Sequence, residues 1–171
     1  MTIQRATTAD LPALLRLVNS AFRGDSARQG WTHEADLLQG EQRTDAAELG
    51  ALLQNPQIAL LTYKADDGQL LGCVNLQTKP RGLYLGMLTV APDRQGEGIG
   101  KLLLKAAEDY ARQLGCPCIF MTVFSVRQEL LDWYIRHGYR LTGETQDYPS
   151  NPVYGVPTQP LHFVVLEKVM D

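Results

Sequence analysis

Cysteine is scarce in this sequence of 171 residues. The three cysteines, Cys73, Cys116 and Cys118, are odd in number and lack the paired CxxC spacing of a zinc site. The sequence therefore predicts neither a disulfide framework nor a structural metal. We interpret all three as buried thiols in a reducing compartment, which indicates a cytoplasmic protein.

Long apolar runs and a surplus of basic residues are also missing. No apolar run approaches the roughly 20 residues of a membrane span, and Arg5 and Asp10 stand where a signal peptide needs its apolar core. Sixteen Lys and Arg against nineteen Asp and Glu give a net charge of -3, with the basic residues scattered along the chain. These absences argue against a membrane partner and a nucleic-acid partner.

What remains is the composition of a globular protein, with 44% hydrophobic and 20% charged residues. The length is within the usual size of one domain, and no repeat, low-complexity tract or linker divides the chain. We therefore expect a single domain over residues 1–171.

The spacing of apolar residues predicts about four helices and seven strands. The strands are expected at residues 2–6, 58–63, 70–76, 83–90, 118–123, 139–145 and 161–169. The helices are expected after a cap at Thr7 or Thr8, after a cap at Thr44 or Asp45, from Ile99 to Leu114 and from Arg127 to His137. The fourth strand is apolar on both faces, which predicts a central position, and its Gly86 indicates a bulge or a close backbone approach.

The segment from Val90 to Lys101 joins this central strand to the best-defined helix. Gly96, Gly98 and Gly100 alternate along it, just where the first helical turn has N–H groups without internal partners. Such a turn binds anions, the helix dipole favours a phosphate or pyrophosphate, and Lys101 adds a positive charge.

Two nucleotide-binding motifs do not fit this segment. A P-loop needs GxxxxGK followed by Ser or Thr, whereas Gly96 and Gly100 are one residue too close and Leu102 follows the lysine. The dinucleotide fingerprint GxGxxG needs an acidic residue about 20 positions later, and none stands near Cys116.

The pattern Gln95-x-x-Gly98-x-Gly100 matches the Q/R-x-x-G-x-G/A signature of the GCN5-related N-acetyltransferase (GNAT) superfamily. The residues before it, 87–92, resemble that family's fourth strand. The residues of a later helix end, Trp133 to Tyr139, resemble its "fYek.GF" sequence. Together these stretches cover residues 83–140, and the other elements follow in the family's order.

This resemblance implies an α/β (α+β) fold with a mixed sheet of about seven strands, splayed between the fourth and the fifth, and about four helices. The gap would admit the pantetheine arm of acetyl-CoA, used as co-substrate without a metal. The implied acetyl-CoA contacts are Leu88, Thr89, Val90, Gln95, Gly96, Gly98, Ile99, Gly100 and Lys101. Backbone groups of the fourth strand would also stabilise the oxyanion that develops as an amine attacks.

The resemblance further implies that Tyr134 protonates the leaving thiolate as general acid. An Asn commonly lies seven residues before that Tyr, but here Arg127 stands in its place. We expect Arg127 on the solvated surface, with contact to a CoA phosphate as the alternative. The general base stays open among Tyr84, Glu34, Asp147, His162 and ordered water. Cys118 has no base beside it, so direct transfer is favoured over an acyl-cysteine.

The predicted function is transfer of an acetyl group from acetyl-CoA to a primary amine of a small molecule. A protein lysine or N-terminus as acceptor, and a CoA-binding sensor without turnover, stay open as alternatives, as does a homodimer. Two irregular segments, residues 23–43 and 147–160, are expected to contact the acceptor. Within them Trp31 would offer an apolar wall and Glu34 a carboxylate to an ammonium group.

Overall fold

Seven strands form the central sheet, close to the positions that the apolar runs predicted. The computed structural model describes residues 1–149 and 151–171. The strands are β1 (Thr2–Arg5), β2 (Ile58–Lys64), β3 (Leu70–Thr78), β4 (Leu83–Val90), β5 (Cys118–Phe124), β6 (Arg140–Asp147) and β7 (His162–Val169). Their order across the sheet is β1-β2-β3-β4-β5-β7-β6, and β4 pairs with β5 in parallel while the other neighbours are antiparallel. The predicted fold class and the central position of β4 are confirmed.

Over the described residues, four α-helices accompany the sheet: α1 (Leu11–Phe22), α2 (Ala46–Gln54), α3 (Ile99–Gln113) and α4 (Gln128–Arg136). One apolar cluster contains Leu103 and Leu104 of α3 with Val74 of β3, and a second contains Leu14 and Val18 of α1 with Cys73 of β3. Neighbouring residues of a strand point to opposite faces. Helices α1 and α3 therefore cover opposite faces of the sheet.

Local signals at the element ends explain where the elements begin and turn. The Asp45 carboxylate accepts a hydrogen bond from the Glu48 N–H at 2.8 Å, so Asp45 rather than Thr44 caps α2. Before α1 the chain makes a 3₁₀ turn over Thr8–Asp10, and the helix starts later than the Thr7 cap predicted. Gly68 has a φ of +85° in the predicted hairpin turn between β2 and β3.

Strands β4 and β5 separate after a short paired stretch. They pair only at Leu83 with Ile119 and at Tyr84 with Phe120. Beyond Tyr84 the edge of β4 that faces β5 has no strand partner, which leaves backbone groups available to a ligand. The predicted splay between the fourth and fifth strands is therefore present.

A bulge in β4 lies at the start of this open edge. Cys73 of β3 pairs with Thr89 and Asn75 pairs with Gly86, so β4 has one extra residue between these pairs. Met87 takes up the distortion with a φ of +54°. Gly86 is required for space, because a Cβ there would lie 2.9 Å from the Tyr84 ring. The predicted bulge is confirmed, and the near neighbour of Gly86 is the Tyr84 side chain rather than another stretch of backbone.

The two irregular segments pair with each other. Residues Leu38–Gln39 and Val156–Pro157 form a two-stranded antiparallel ladder, and the Arg23 Nε donates to the Tyr154 carbonyl at 3.0 Å. Ser150, within the second segment, lies outside the described residues. Although more than 100 residues apart in sequence, the segments form one continuous wall. In the stretches 1–149 and 151–171, no helix combines the length and apolarity needed to cross a bilayer.

Candidate functional site

A cavity of about 420 Å³ opens beside the glycine turn, and we call it the glycine-turn cavity. The predicted acetyl-CoA contacts that line it are Leu88, Val90, Gln95, Gly96, Gly98, Ile99, Gly100 and Lys101. Thr89 does not line it: its side chain is fully buried, and its Oγ1 donates to the Met87 carbonyl at 2.8 Å. The structure thus brings eight of the nine predicted residues together on one surface, with α4 completing the cavity through Trp133 and Tyr134.

The glycines of this turn differ in their surroundings. Gly96 and Gly98 have φ values of +86° and +87°, a conformation that other residues adopt only at a cost. A Cβ at either position would have nothing within 4 Å, so the space in front of the turn is open. Gly100 lies inside the first turn of α3, where a Cβ would lie 3.7 Å from the Trp133 ring. The turn presents the N-terminus of a 15-residue helix to this open space.

The Gln95 side chain connects the glycine turn to the first irregular segment. Its Oε1 accepts from the Trp31 N–H at 2.8 Å and the Thr32 N–H at 3.3 Å. Its Nε2 donates to the Thr32 Oγ1 at 2.8 Å and to the Val90 carbonyl at 3.1 Å. With both ends of the amide occupied, Gln95 fixes residues 31 and 32 against the end of β4. Trp31, predicted to contact the acceptor, therefore lies at the glycine-turn cavity.

A second cavity, of about 380 Å³, lies under the wall formed by the two irregular segments, and we call it the arginine cavity. Three arginines line it: Arg23 from the end of α1, Arg43 from the first segment and Arg127 from the start of α4. The bulge of β4 contributes Gly86 and Met87 to its lining. Aromatic residues of the lining are Phe22, Tyr84, Phe124, Tyr134, Tyr148, Tyr154 and Phe163.

Glu34 lies between two of these arginines. Its Oε1 accepts from Arg23 Nη1 at 2.6 Å, and its Oε2 accepts from Arg127 Nη1 at 3.4 Å. The exposed fraction of the side chain is only 2% for Arg23, 11% for Glu34 and 10% for Arg127. Removing one partner of such a buried group costs about 3–5 kcal/mol, because the remaining charges lose their compensation. This geometry gives Glu34 a structural task, and its predicted contact with an ammonium group stays a prediction.

The expectation that Arg127 lies on the solvated surface is wrong, because its side chain is buried. Besides Glu34 it donates to the backbone carbonyls of Thr32 and His33. Burial lowers the pKa of Arg127 from its ordinary value, while the Glu34 carboxylate acts in the opposite direction. The guanidinium nevertheless stays charged at neutral pH. Where the family carries an Asn, this chain has a cation fixed between α4 and the first irregular segment.

Tyr134 lies where the two cavities meet. The residues that line both are Phe22, Leu88, Arg127, Leu130 and Tyr134. The Tyr134 ring is held edge-on by Trp133 and Tyr139, at centroid distances of 5.1 and 5.8 Å. Within the described part of the chain, no group accepts a hydrogen bond from the Tyr134 hydroxyl. The hydroxyl oxygen is not completely enclosed by protein. Burial raises the pKa of Tyr134, so its hydroxyl is protonated at neutral pH and available as a donor.

The other candidates for proton transfer lie in different parts of the structure. Tyr84 and Glu34 line the arginine cavity, whereas Asp147 and His162 line neither cavity and pair with each other at the end of β6 and β7. Cys118 also lies outside both cavities, and burial raises the pKa of its thiol. All three cysteines are free and buried, as predicted. Across residues 1–149 and 151–171, no group of three or more His, Cys, Asp or Glu could hold a metal ion.

Arg23 and Arg43 lie within a segment that the sequence predicted to contact the acceptor, but the sequence reasoning did not single them out as lining residues. No local pattern marks them, because they come together only when α1, the first irregular segment and α4 pack around β4. The one available signal was Arg127, whose departure from the family pattern pointed to an altered cavity.

Comparison with known proteins identifies the class to which this site belongs. The family model described as the acetyltransferase (GNAT) family matches residues 13–139. This match covers most of the chain, including α1, β4, the glycine turn and α4. The chain therefore belongs to the GNAT acetyltransferase family, as its motif predicted.

Individual relatives differ in how much of the chain they share. The chain is 29% identical over 145 residues to the uncharacterized N-acetyltransferase YhfO of Bacillus subtilis, covering 81% of this chain and 89% of that protein. It is 40% identical over 84 residues to an amino-acid acetyltransferase of Ralstonia nicotianae, covering 48% of this chain but only 18% of that protein. The solved structure of yncA from Salmonella typhimurium, a proposed acetyltransferase with its cofactor acetyl-CoA, has a TM-score of 0.73 and 19% identity, over 100% of this chain and 94% of that one.

Proposed function

We propose that this protein transfers the acetyl group of acetyl-CoA to a primary amine of a small molecule by direct attack, in the cytoplasm. The observation that carries the proposal is the meeting of two cavities at Tyr134. One cavity has the phosphate-binding features of a donor site, and the other is a separate space of suitable size for a small acceptor. Direct transfer needs both reactants at one point, and this arrangement supplies it.

The residues of the glycine-turn cavity fit acetyl-CoA. Gly96 and Gly98 form a cradle that a side chain would fill, at the N-terminus of α3. Such a cradle suits a pyrophosphate, and Lys101 lies on the same lining. The unpaired edge of β4 from Gly86 to Val90 suits the amide-containing arm of the molecule. The solved yncA structure, with acetyl-CoA, supports the same use of this fold.

Acetyl-CoA supplies an activated thioester whose acetyl carbon an amine can attack. In the proposed reaction the Tyr134 hydroxyl donates its proton to the sulfur that departs. Backbone N–H groups at the open edge of β4 stabilise the negative charge that develops on the carbonyl oxygen. Leu88 and Val90, which line the glycine-turn cavity, are the residues of that edge that we assign to this task.

The positive charge of the arginine cavity does part of the work of a general base. Glu34 is engaged by two arginines, so it is poorly placed to accept another proton. Guanidinium groups near a bound amine disfavour its ammonium form and so lower its pKa. The cavity itself therefore promotes the neutral amine that must attack, and Tyr84, also in the lining, is our candidate to relay the remaining proton, accepting it at its oxygen while its own hydroxyl proton passes to solvent water.

Two considerations favour a small amine over a protein acceptor. The arginine cavity, of about 380 Å³, is of a size that suits a small molecule. One relative is named for acting on an amino acid, although the match spans only part of that protein. A module that binds CoA without turnover is the alternative.

Release of free thiol from acetyl-CoA in the presence of an amine panel tests this function. The panel should contain amino acids, polyamines, aminoglycosides and a lysine-containing peptide. We expect thiol release that depends on one class of small amines, with the acetylated product identified by mass spectrometry. Tight CoA binding by calorimetry together with no turnover on the whole panel would assign the protein to the non-catalytic class instead.

A further inference from the structure

We infer that the arginine cavity binds an oxyanion carried by the acceptor, so that the substrate is a small primary amine that also bears a carboxylate or phosphate group. That this anion belongs to the acceptor substrate rests on the proposed function. The anion site itself follows from the charges and hydrogen bonds of the cavity.

The cavity is strongly unbalanced in charge. Among the described residues of its lining, three carry a guanidinium group and one a carboxylate, which leaves two net positive charges. Charges removed from water are costly unless they are paired. A bound anion would supply the missing pairing, whereas an acceptor with an ammonium group alone would be repelled.

Two of the guanidinium groups have donors to spare. Arg23 directs Nε to the Tyr154 carbonyl and Nη1 to Glu34, but its Nη2 donates to no group in residues 1–149 and 151–171. Asn75 Oδ1 is the single sealed side-chain polar atom without a partner in those residues, so Arg23 Nη2 keeps some accessible surface, and Arg23 lines the cavity.

Arg43 is the more accessible of the two. Its side chain is 33% exposed, and its Cζ lies 5.9 Å from the centroid of the Phe22 ring. Its nearest carboxylate oxygen, Glu48 Oε1, is 4.0 Å away and already accepts from the Thr44 hydroxyl at 3.0 Å. The Arg43 guanidinium is therefore held in place by packing while its donors remain available to a ligand.

The chemistry of arginine narrows the class of ligand. A guanidinium presents a planar fork of donors that matches carboxylate and phosphate oxygens. Part of the remaining lining is aromatic: the Phe124 and Phe163 rings stack at 4.6 Å, and the Tyr148 ring meets Phe124 edge-on at 5.2 Å. An amine with an oxyanion and an apolar body, such as an aromatic or aliphatic amino acid, combines all three features.

Binding without turnover tests the anion site separately from catalysis. Calorimetry with 3-phenylpropionate, 2-phenylethylphosphonate and 3-phenylpropionamide measures the preference for an oxyanion over a neutral group of the same shape. We expect either oxyanion to bind at least about tenfold more tightly than the amide, and their relative affinities distinguish carboxylate from phosphate as the natural group. Equal affinity for the amide and both oxyanions would overturn the inference.

Variants of Arg43 localise the effect without disturbing the buried ion pairs. Arg43→Gln should reduce oxyanion binding about tenfold, and Arg43→Lys should retain part of it, since a lysine keeps the charge but not the fork. Arg140→Gln is the matched control for net charge, because Arg140 is 72% exposed on β6 and lines neither cavity. Equal losses in Arg43→Gln and Arg140→Gln would contradict the site.

A turnover assay then links the anion to the acceptor. Phenylalanine, phenylalaninamide and 2-phenylethylamine share an amine and a ring but differ in the carboxylate. The inference predicts a kcat/KM at least about tenfold higher for phenylalanine, and a loss of this preference in Arg43→Gln. Acetylation of the amide or of 2-phenylethylamine as fast as the acid overturns it while the proposed function stands. Arg43-dependent oxyanion binding without acetylation of any amine supports the site and rejects the function.

Discussion

The glycine-turn cavity and the arginine cavity differ in how the chain builds them. The first depends mainly on one continuous stretch from Leu88 to Lys101, closed by α4. The second is assembled from α1, both irregular segments, β4, β5 and the start of α4. The first therefore has a local signature that a sequence displays, whereas the second exists only once distant segments pack. Under the proposed function the first cavity holds the donor and the second the acceptor, so this difference separates the two binding regions.

The largest effect is expected at the junction of the two cavities. Tyr134→Phe keeps the ring that packs on Trp133 and Tyr139 and removes only the hydroxyl. Because that hydroxyl is the proposed proton donor, kcat should fall by about 10²–10⁴-fold, while acetyl-CoA affinity and melting temperature stay nearly constant. Steady-state kinetics and calorimetry measure the two quantities.

Tyr139→Phe is the matched control for this variant. Its hydroxyl is 3.4 Å from Glu108 and outside both cavities, so kcat should not change. An undiminished kcat in Tyr134→Phe, with chemistry shown to limit turnover, would leave Tyr134 with a packing role alone.

The second effect concerns the glycine-turn cavity alone. Gly98→Val forces a β-branched residue to a φ of +87°, where the backbone conformation costs about 1–2 kcal/mol, and puts methyl groups into the open cradle. We expect the dissociation constant for CoA to rise about tenfold or more by calorimetry. Gly115→Val, at the other end of α3 with a φ of +69°, should carry a similar strain without weakening CoA. Unchanged CoA affinity in Gly98→Val would reject the phosphate-binding role of the turn.

The same contrast between local and distant residues decides which features could be predicted from the sequence. The helices, the strands and the glycine turn were predictable because periodicity, caps and glycine spacing are local, whereas the splay of β4 from β5 was predicted only through the resemblance to the GNAT superfamily. The role of Gln95 was not, since its amide binds Trp31 and Thr32, about 63 positions away. The ion pairs of Glu34 with Arg23 and Arg127 were equally invisible, because they join three segments that no periodicity relates.

Gln95 provides the third prediction, because its side chain connects the two regions. Gln95→Met keeps the length of the side chain but leaves the Trp31 and Thr32 N–H groups without their acceptor. The first irregular segment should then loosen, so that the acceptor KM rises a few-fold, with a smaller change in CoA affinity. Gln113→Met, on an exposed position at the end of α3, is the control. A loss confined to CoA affinity would show that Gln95 serves the glycine turn and not the connection.

The smallest effect is expected at the outer support of the arginine cavity. Asp45 caps α2 and also accepts a hydrogen bond from the Tyr154 hydroxyl at 3.0 Å, which ties the second irregular segment to α2. The Glu48 N–H, and after it the Tyr154 hydroxyl, lower the pKa of Asp45 from its ordinary value. A lowered pKa in the folded state means that the Asp45 carboxylate stabilises the fold above its unfolded pKa of about 3.9, and that this contribution is lost as the pH falls through the folded pKa.

Asp45→Asn should remove that acid sensitivity while preserving the cap, since asparagine caps helices about as well as aspartate. The melting temperature of the variant should fall less between pH 5 and pH 3, a range about the unfolded pKa, than that of the parent protein. At neutral pH the two should differ by a small amount. Asp93→Asn, at an exposed position outside the wall, controls for the change in net charge. If Asp45→Asn and Asp93→Asn alter the pH profile equally, net charge rather than the Asp45–Tyr154 contact governs it, and the wall of the arginine cavity has no acid-sensitive support at this position.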